Sequence, residues 1–359
     1  MNKLDIYIIK RFLGTFFFML AVIMSIAIVF DVSEQLERFV KYEAPIDQII
    51  FKYYVNFVFY FGNLFSSLLI FLSVLLFTSQ LAQRSEIIAI FAGGISFRRL
   101  LRPYFIAATI LVSISLYFTH YQLPIANRVR ITFEEQYMNK KFKIKDENLN
   151  REIEKNTLAY FETFSTINNI GYKFSLEKWN DQGNLEYKMM ADRAKYDTTT
   201  GRWEIMGYRV REFSEEGETI YNGRTLDTLL NMEPKDFGVK ANIASTMGYK
   251  ELTNFIEEER QKGSDQTVYY EIEKHQRTSY PFATYILTVI AVSLAGRKVR
   301  GGIGVHLATG VLIAVIYIFA MKVTTVAATN AGLNPMLAVW LPNIFFTGIA
   351  VFVLRRAQK

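Results

Sequence analysis

The chain is predicted to be an α-helical membrane protein with six transmembrane helices and a β domain inserted between helices 3 and 4. Three observations carry that prediction. Stretches free of Asp, Glu, Lys and Arg cover Phe12–Phe30, Tyr53–Gln83, Pro103–Asn127, Thr278–Gly296, Gly301–Met321 and Val323–Leu354, and a helix needs about 20 such residues to cross the hydrocarbon. A polar insert of roughly 140 residues, the size of an independent domain, separates three spans from three. Charge divides the same way: residues 124–265 hold 22 Lys and Arg against 25 Asp and Glu, and the remainder holds 19 against 9. The net +7 therefore belongs to the membrane part and is no sign of nucleic-acid binding.

With 51% hydrophobic residues, 30 Phe and 21 Tyr among 359, the chain is too rich in apolar runs for an ordinary soluble domain. Lys3, Lys10, Arg11, Arg84, Arg98, Arg99, Arg102, Arg297, Lys298, Arg300, Arg355, Arg356 and Lys359 fall on one side of a six-span chain. The positive-inside rule makes that side the cytoplasm, with both termini, and turns the insert outward. The expected division is 1–123 for helices 1–3, 124–265 for the inserted domain and 266–359 for helices 4–6. Ser25-Ile26-Ala27 resembles a cleavage site, yet the apolar run continues through Phe30, so helix 1 is read as an uncleaved anchor. Without cysteine, the outer domain has neither disulfides nor thiolate metal sites and relies on core packing.

Helix 1 follows Lys10-Arg11 and continues as a helix beyond the bilayer, with Val32, Leu36, Phe39 and Val40 on one side. Arg38 and Lys41, one turn apart, face either an anionic headgroup or plain solvent. Helix 2 begins near Tyr53; its Asn56, Gly62, Asn63, Ser66, Ser67 and Ser73 mark helix packing. A cytoplasmic elbow follows, with a short helix near 84–95. Ser85 caps it, Glu86 sits in its first turn, Gly93 or Gly94 ends it, and Ser96 caps a second helix stopping before Pro103. Four arginines surround the single acid Glu86, while Ile87, Ile88, Ile90 and Phe91 present an apolar surface. The plainer reading is a basic connector on anionic headgroups; the functional reading is a coupling helix docking into another protein.

Helix 3 runs from Pro103 to about Leu123, and the charged stretch 125–156 starts as a helical extension. Thr157–Phe164, Gly171–Trp179, Leu185–Tyr196, Trp203–Phe213 and Thr219–Leu230 read as strands, with turn signals at Asn180–Gly183, Thr198–Gly201, Glu215–Gly217 and Asn222-Gly223. Short strands and tight turns suggest a sandwich or open barrel. The β domain ends around Pro234–Phe237, and an amphipathic helix starts at Met247 and closes at Lys262-Gly263. Helix 4 contains Pro281, Arg297–Gly302 form a second elbow, Lys322 lies near the outer end of helix 5, and Asn330–Pro335 turn the chain into helix 6.

No catalytic constellation assembles: there is no phosphate loop, no His-Glu-x-x-His and no Gly-x-Ser-x-Gly. His120 and His275 both fall near the outer surface but lack an evident third metal ligand. Gly301-Gly302-Ile303-Gly304 has neither the spacing nor the preceding strand of a dinucleotide site.

Local patterns carry a resemblance over essentially the whole chain. They are Ser85-Glu86-Ile87 through Gly93-Gly94-Ile95-Ser96, Ala194–Asp197 with Arg202-Trp203-Glu204, and Met247 with Glu251-Leu252. Glu273-x-His275-x-Arg277 before Pro281, and Pro335 with Trp340-x-Pro342-Asn343, complete the set. In order and spacing the chain resembles the lipopolysaccharide export system permeases (LptF/LptG), and Leu4–Ile8 lean toward the second paralogue. The resemblance implies a permease subunit of an ABC exporter in the inner membrane of a Gram-negative bacterium. It implies a periplasmic β-jellyroll, a paralogous permease partner, a cytoplasmic ATPase dimer, jellyroll bridge proteins and lipopolysaccharide as cargo. This chain would bind no cofactor; ATP and Mg would act at the ATPase. The implied coupling residues are Ser85, Glu86, Ile87, Ile90, Phe91, Gly93 and Gly94; Arg38, Lys41 and Lys322 are the candidates for phosphate contacts. Asp31 departs from the basic tendency expected at the top of helix 1. The alternatives are a permease for lipoprotein release or peptide export, and a membrane-anchored assembly scaffold.

Overall fold

The computed structural model describes residues 2–138, 147–165, 168–214, 217–234, 243–261, 263–264, 266–299 and 302–357. Expectations placed on Glu215, Glu216, Lys235, Asp236, Phe237, Lys262, Arg300, Gly301 and Lys359 lie outside these residues. The chain divides into two compact units, one of Met1–Asn139, Ser245–Tyr249 and Glu271–Lys359, the other of Lys140–Ala244 and Lys250–Tyr270.

In the first unit, α1 (Lys3–Lys41) is one unbroken helix of 39 residues. At about 1.5 Å per residue it is longer than a hydrocarbon core of about 30 Å, and helical structure continues past the apolar run to Lys41, as the sequence pattern predicts. The second hydrophobic segment is assembled from pieces: α2 (Ile46–Gln48), a π-helical stretch Ile49–Tyr54, α3 (Val55–Leu64) and, past a break at Phe65, α4 (Ser66–Gln83). Its polar residues do mark packing. Ser67 Oγ donates to the Tyr280 carbonyl at 2.7 Å, and Asn63 joins Thr119 and Ser115 at 3.0 and 2.8 Å. Asn56 instead turns back on the Lys52 carbonyl of its own helix.

After α5 (Glu86–Ala92), α6 (Phe97–Tyr117) opens with Ser96 Oγ accepting the Arg99 amide at 3.3 Å. The expected stop before Pro103 is overturned: Pro103 lies inside α6, which continues through a π-helical turn Phe118–Gln122 into α7 (Leu123–Tyr137). A proline deletes one backbone hydrogen bond, whereas ending a helix in hydrocarbon would strand several groups with no water to satisfy them. The cheaper defect is kept.

The remaining membrane helices are α9 (Thr267–Ala295), α10 (Gly302–Ala331) and α11 (Pro335–Ala357), preceded by α8 (Tyr249–Gln261), which Gly263 ends at φ +67°. The turn before α11 follows capping rules: Gly332 takes φ +71°, Asn334 Oδ1 accepts the amides of Met336 and Leu337, and Pro335 fills the first helical position. Asn343 ties three helices together. Its amide donates to the Ser279 carbonyl and hydroxyl at 3.1 and 2.8 Å, and its oxygen accepts from Tyr317 at 2.9 Å. Among the described residues, six helices are long and apolar enough to cross a membrane: Lys3–Lys41, Ser66–Gln83, Phe97–Tyr137, Thr267–Ala295, Gly302–Ala331 and Pro335–Ala357. α4 is central, with Phe71, Val74, Leu75 and Phe77 buried.

The second unit carries β1 (Glu147–Glu154), β2 (Thr157–Ser165), β3 (Ile170–Trp179), β4 (Leu185–Asp197), β5 (Arg202–Ser214) and β6 (Gly217–Thr228). They form one antiparallel sheet in chain order, a meander, where the sequence suggested a sandwich or open barrel. Among the described strands each lies beside its neighbour in sequence, and none crosses over. At the β3–β4 turn Asn180 Oδ1 accepts the amides of Gln182 and Asn184. At the β4–β5 turn the Thr199 amide and Thr200 hydroxyl hold the Asp197 carboxyl below its ordinary pKa.

One row runs across all six strands: Leu149, Phe161, Phe174, Ala191, Tyr208 and Gly223. It corrects the reading of Asn222-Gly223 as a turn. Gly223 lies within β6 because the Tyr208 ring occupies the place of a Cβ, 2.2 Å from where one would stand. The sequence also missed β1, whose residues are mostly polar. Arg151 on it is buried and meets buried Glu259 of α8 at 3.4 Å.

Candidate coupling elbow and phosphate sites

The elbow is built by backbone geometry at both ends of α5. Ser85 sits at the cap position, but in the left-handed region at φ +61° and without a side-chain capping bond, so the expected cap chemistry is absent. Gly94, at φ +80°, closes the helix. The apolar surface divides in two: Ile87 is buried in the core of the helical unit and Ile90 packs against it, while Ile88 and Phe91 face outward. Ile87 thus anchors the elbow and is not offered to a partner. Gly93 and Gly94 are exposed beside Phe91. A cavity of about 440 Å³ lies against α5, lined by Ile88, Phe91, Phe97, Ser293, Arg297 and Lys298 among others.

The picture of four arginines around one acid is corrected. Arg99 is engaged by Asp5, and Glu86 accepts a hydrogen bond from Tyr7 at 2.9 Å; both partners lie in the first turns of α1. Arg84, Arg98 and Arg102 are exposed. At the second elbow, His306 Nε2 meets the Arg297 carbonyl at 3.0 Å, and the Arg297 guanidinium reaches the Arg356 carbonyl.

Arg38 and Lys41 lie at the exposed end of α1. Arg38 donates to buried Gln35 at 2.8 Å, and Lys41 sits 5.7 Å from the centre of the Tyr42 ring. Asp31, one span-end below them, accepts from Tyr53 and Tyr54 at 3.3 and 3.2 Å, so this acid holds the π-helical segment to α1. Lys322 is exposed on α10 and lines a cavity of about 300 Å³ with Phe65, Ser67, Gln276, Tyr280 and Tyr317. Neither Arg38 nor Lys41 lines the Lys322 cavity. α4 stands between, turning Ser66 and Ile70 to a crevice shared with Phe16 and Leu20 of α1, and Ser67 and Leu68 to the Lys322 cavity.

Sequence reasoning flagged Met247, Glu273 and Arg277 without a role. Arg277 is buried, donates to the Met247 carbonyl at 2.8 Å and pairs with Glu273 at 3.4 Å, while Asn127 reaches the Ser245 carbonyl; these bonds fasten segment 245–249 to the helices. The contacts missed altogether were those of Asp5 and Tyr7. The only hint was polar residues placed ahead of an apolar span.

Among the described residues, six helices long and apolar enough to cross a membrane fall three before and three after an inserted sheet in the sequence, with a short elbow helix between two of them, which is the make-up of a multi-pass membrane protein and not of a receptor with one anchor. The family model for the lipopolysaccharide export system permease LptF/LptG matches residues 6–356, and the chain belongs to that family. Comparison with curated proteins returned no match. The chain is accordingly a permease component of a lipopolysaccharide export system and a multi-pass inner-membrane protein.

Proposed function

We propose that this permease extracts lipopolysaccharide from the inner membrane and delivers it through its sheet domain to jellyroll bridge proteins leading to the outer membrane. It does so paired with a paralogous permease and driven by a cytoplasmic ATPase dimer, which supplies ATP and Mg chemistry and docks on α5 through Glu86, Ile88 and Phe91. Both termini are cytoplasmic and the sheet domain is periplasmic. The observation that carries this reading is the continuous apolar row on the sheet, Leu149 to Gly223, in a chain of this family. Each CH2 exposed to water costs about 0.8 kcal/mol, so a lipid with several acyl chains needs an apolar path at every step.

A photocrosslinker tests the path. Placed at Tyr208 or Leu226, both half-buried on the apolar face, it is expected to give lipid adducts when the ATPase turns over; at Met190, exposed on the other face, it is not. Adducts with protein alone at all three positions would favour an assembly scaffold.

Lys322 tests the entrance. A charge at the end of a span either snorkels to the interface or reads a ligand. Lys322→Gln is expected to slow lipid release while leaving ATPase association intact, and adding Arg38→Gln to deepen the defect. Export at the normal rate in the double variant would mean that these cations merely snorkel.

A further inference from the structure

Two contacts bind the inner end of α1 to the elbow. Asp5 is buried, at 5% exposure, and both its oxygens take the Arg99 guanidinium: Nη1 reaches Oδ1 at 2.7 Å and Nη2 reaches Oδ2 at 2.8 Å. Two residues on, Tyr7 Oη donates to Glu86 Oε2 at 2.9 Å. Glu86 is the first residue of α5 and Arg99 lies in the first turn of α6, so α1 holds the elbow on both sides of the short helix. A bidentate Arg–carboxylate pair fixes angle as well as distance, which a single-point Lys contact would not. From Asp5 onward α1 is continuous to Lys41, without a proline.

The geometry points to a clasp: Asp5, Tyr7 and Arg99 are positioning residues that make the inner end of α1 move with the coupling elbow. A displacement of α5 then reaches α1 directly as well as through α4, and the rigid helix carries it to the end that bears Arg38 and Lys41. This inference rests on reading α5 as the ATPase dock.

The full chain with its permease partner and ATPase, reconstituted in vesicles containing lipopolysaccharide, decides the matter through lipid released per ATP hydrolysed. Tyr7→Phe, Asp5→Asn and Arg99→Gln are expected to keep the ATPase associated and hydrolysing, while lipid released per ATP falls several-fold. The exchanged pair Asp5→Arg with Arg99→Asp is expected to recover part of the yield, which a variant that merely misfolds would not. An unchanged ratio in Tyr7→Phe and Arg99→Gln overturns the clasp, as does an exchanged pair no better than either single variant. Glu86→Ala, run alongside, separates the two ideas. If it loses the ATPase and the clasp variants transport normally, the dock stands and the clasp falls; if it keeps the ATPase and full transport, both fall.

Discussion

Glu86→Ala is expected to strip the ATPase from the purified complex. Glu86 is half-buried at the start of α5, next to the outward-facing Ile88 and Phe91, and it carries the only acid of the elbow. If a cation of the ATPase closes on it within an apolar contact, removing the carboxylate leaves that cation buried and unpaired, at a cost of about 3–5 kcal/mol. That corresponds to a loss of affinity of roughly 100-fold or more. Glu86→Gln separates charge from shape, since its amide oxygen still accepts from Tyr7 and keeps the elbow in place. The glutamine variant should therefore lose nearly as much as the alanine, and Glu86→Arg, which adds repulsion, should lose more. Co-purification and ATPase rates measure all three. Undiminished, fully active complex from Glu86→Ala would remove α5 from the docking surface.

Trp203→Ala is expected to unfold the sheet unit while the helices persist. Trp203 is wholly buried on β5, its ring 5.8 Å from Phe161, 6.2 Å from Phe164 and 5.2 Å from Tyr196. Its indole Nε1–H donates to the Met232 carbonyl at 3.0 Å. Truncating a buried tryptophan costs about 3–5 kcal/mol, a large share of the roughly 5–15 kcal/mol that holds a domain. The chain has no cysteine with which to compensate. Trp203→Phe keeps part of the ring packing but loses the fused ring's volume and leaves the Met232 carbonyl without this donor, so it should cost about 1–3 kcal/mol, less than the alanine variant. Limited proteolysis of the full-length detergent-solubilised protein reads the difference. Cleavage within 147–232 should appear first in Trp203→Ala, with the helical fragments intact, and a wild-type digestion pattern would contradict the role given to this core. Lipid adducts in the sheet should vanish with it.

Much of the frame was legible because the causes are local. Apolar runs long enough to span, Ser96 before α6, Asn334-Pro335 before α11 and glycines at Gly94 and Gly332 each act within a few residues. Strands β2 to β6 were legible because alternating side chains report a sheet with one buried face. The family's pattern at Glu86 located the elbow, although not which of its apolar residues face outward.

What escaped depends on partners far along the chain. β1 is held by Arg151 meeting Glu259, 108 residues away, and its polar sequence has no alternation to betray it. Asn222-Gly223 has the composition of a turn, but Tyr208 across the ladder needs the missing Cβ. Pro103 has the local signature of a helix end, and hydrocarbon, which cannot solvate a broken backbone, overrides it. Asp5 and Arg99 are 94 residues apart, and nothing in either neighbourhood names the other. By itself the sequence determined how many spans there are and that a β-rich insert divides them three and three, because hydrocarbon thickness and side-chain alternation are read residue by residue. Which charges are paired, which face of α5 is free and how α1 grips the elbow were decided only by tertiary structure, because those depend on which surfaces the packed helices bring within hydrogen-bond reach.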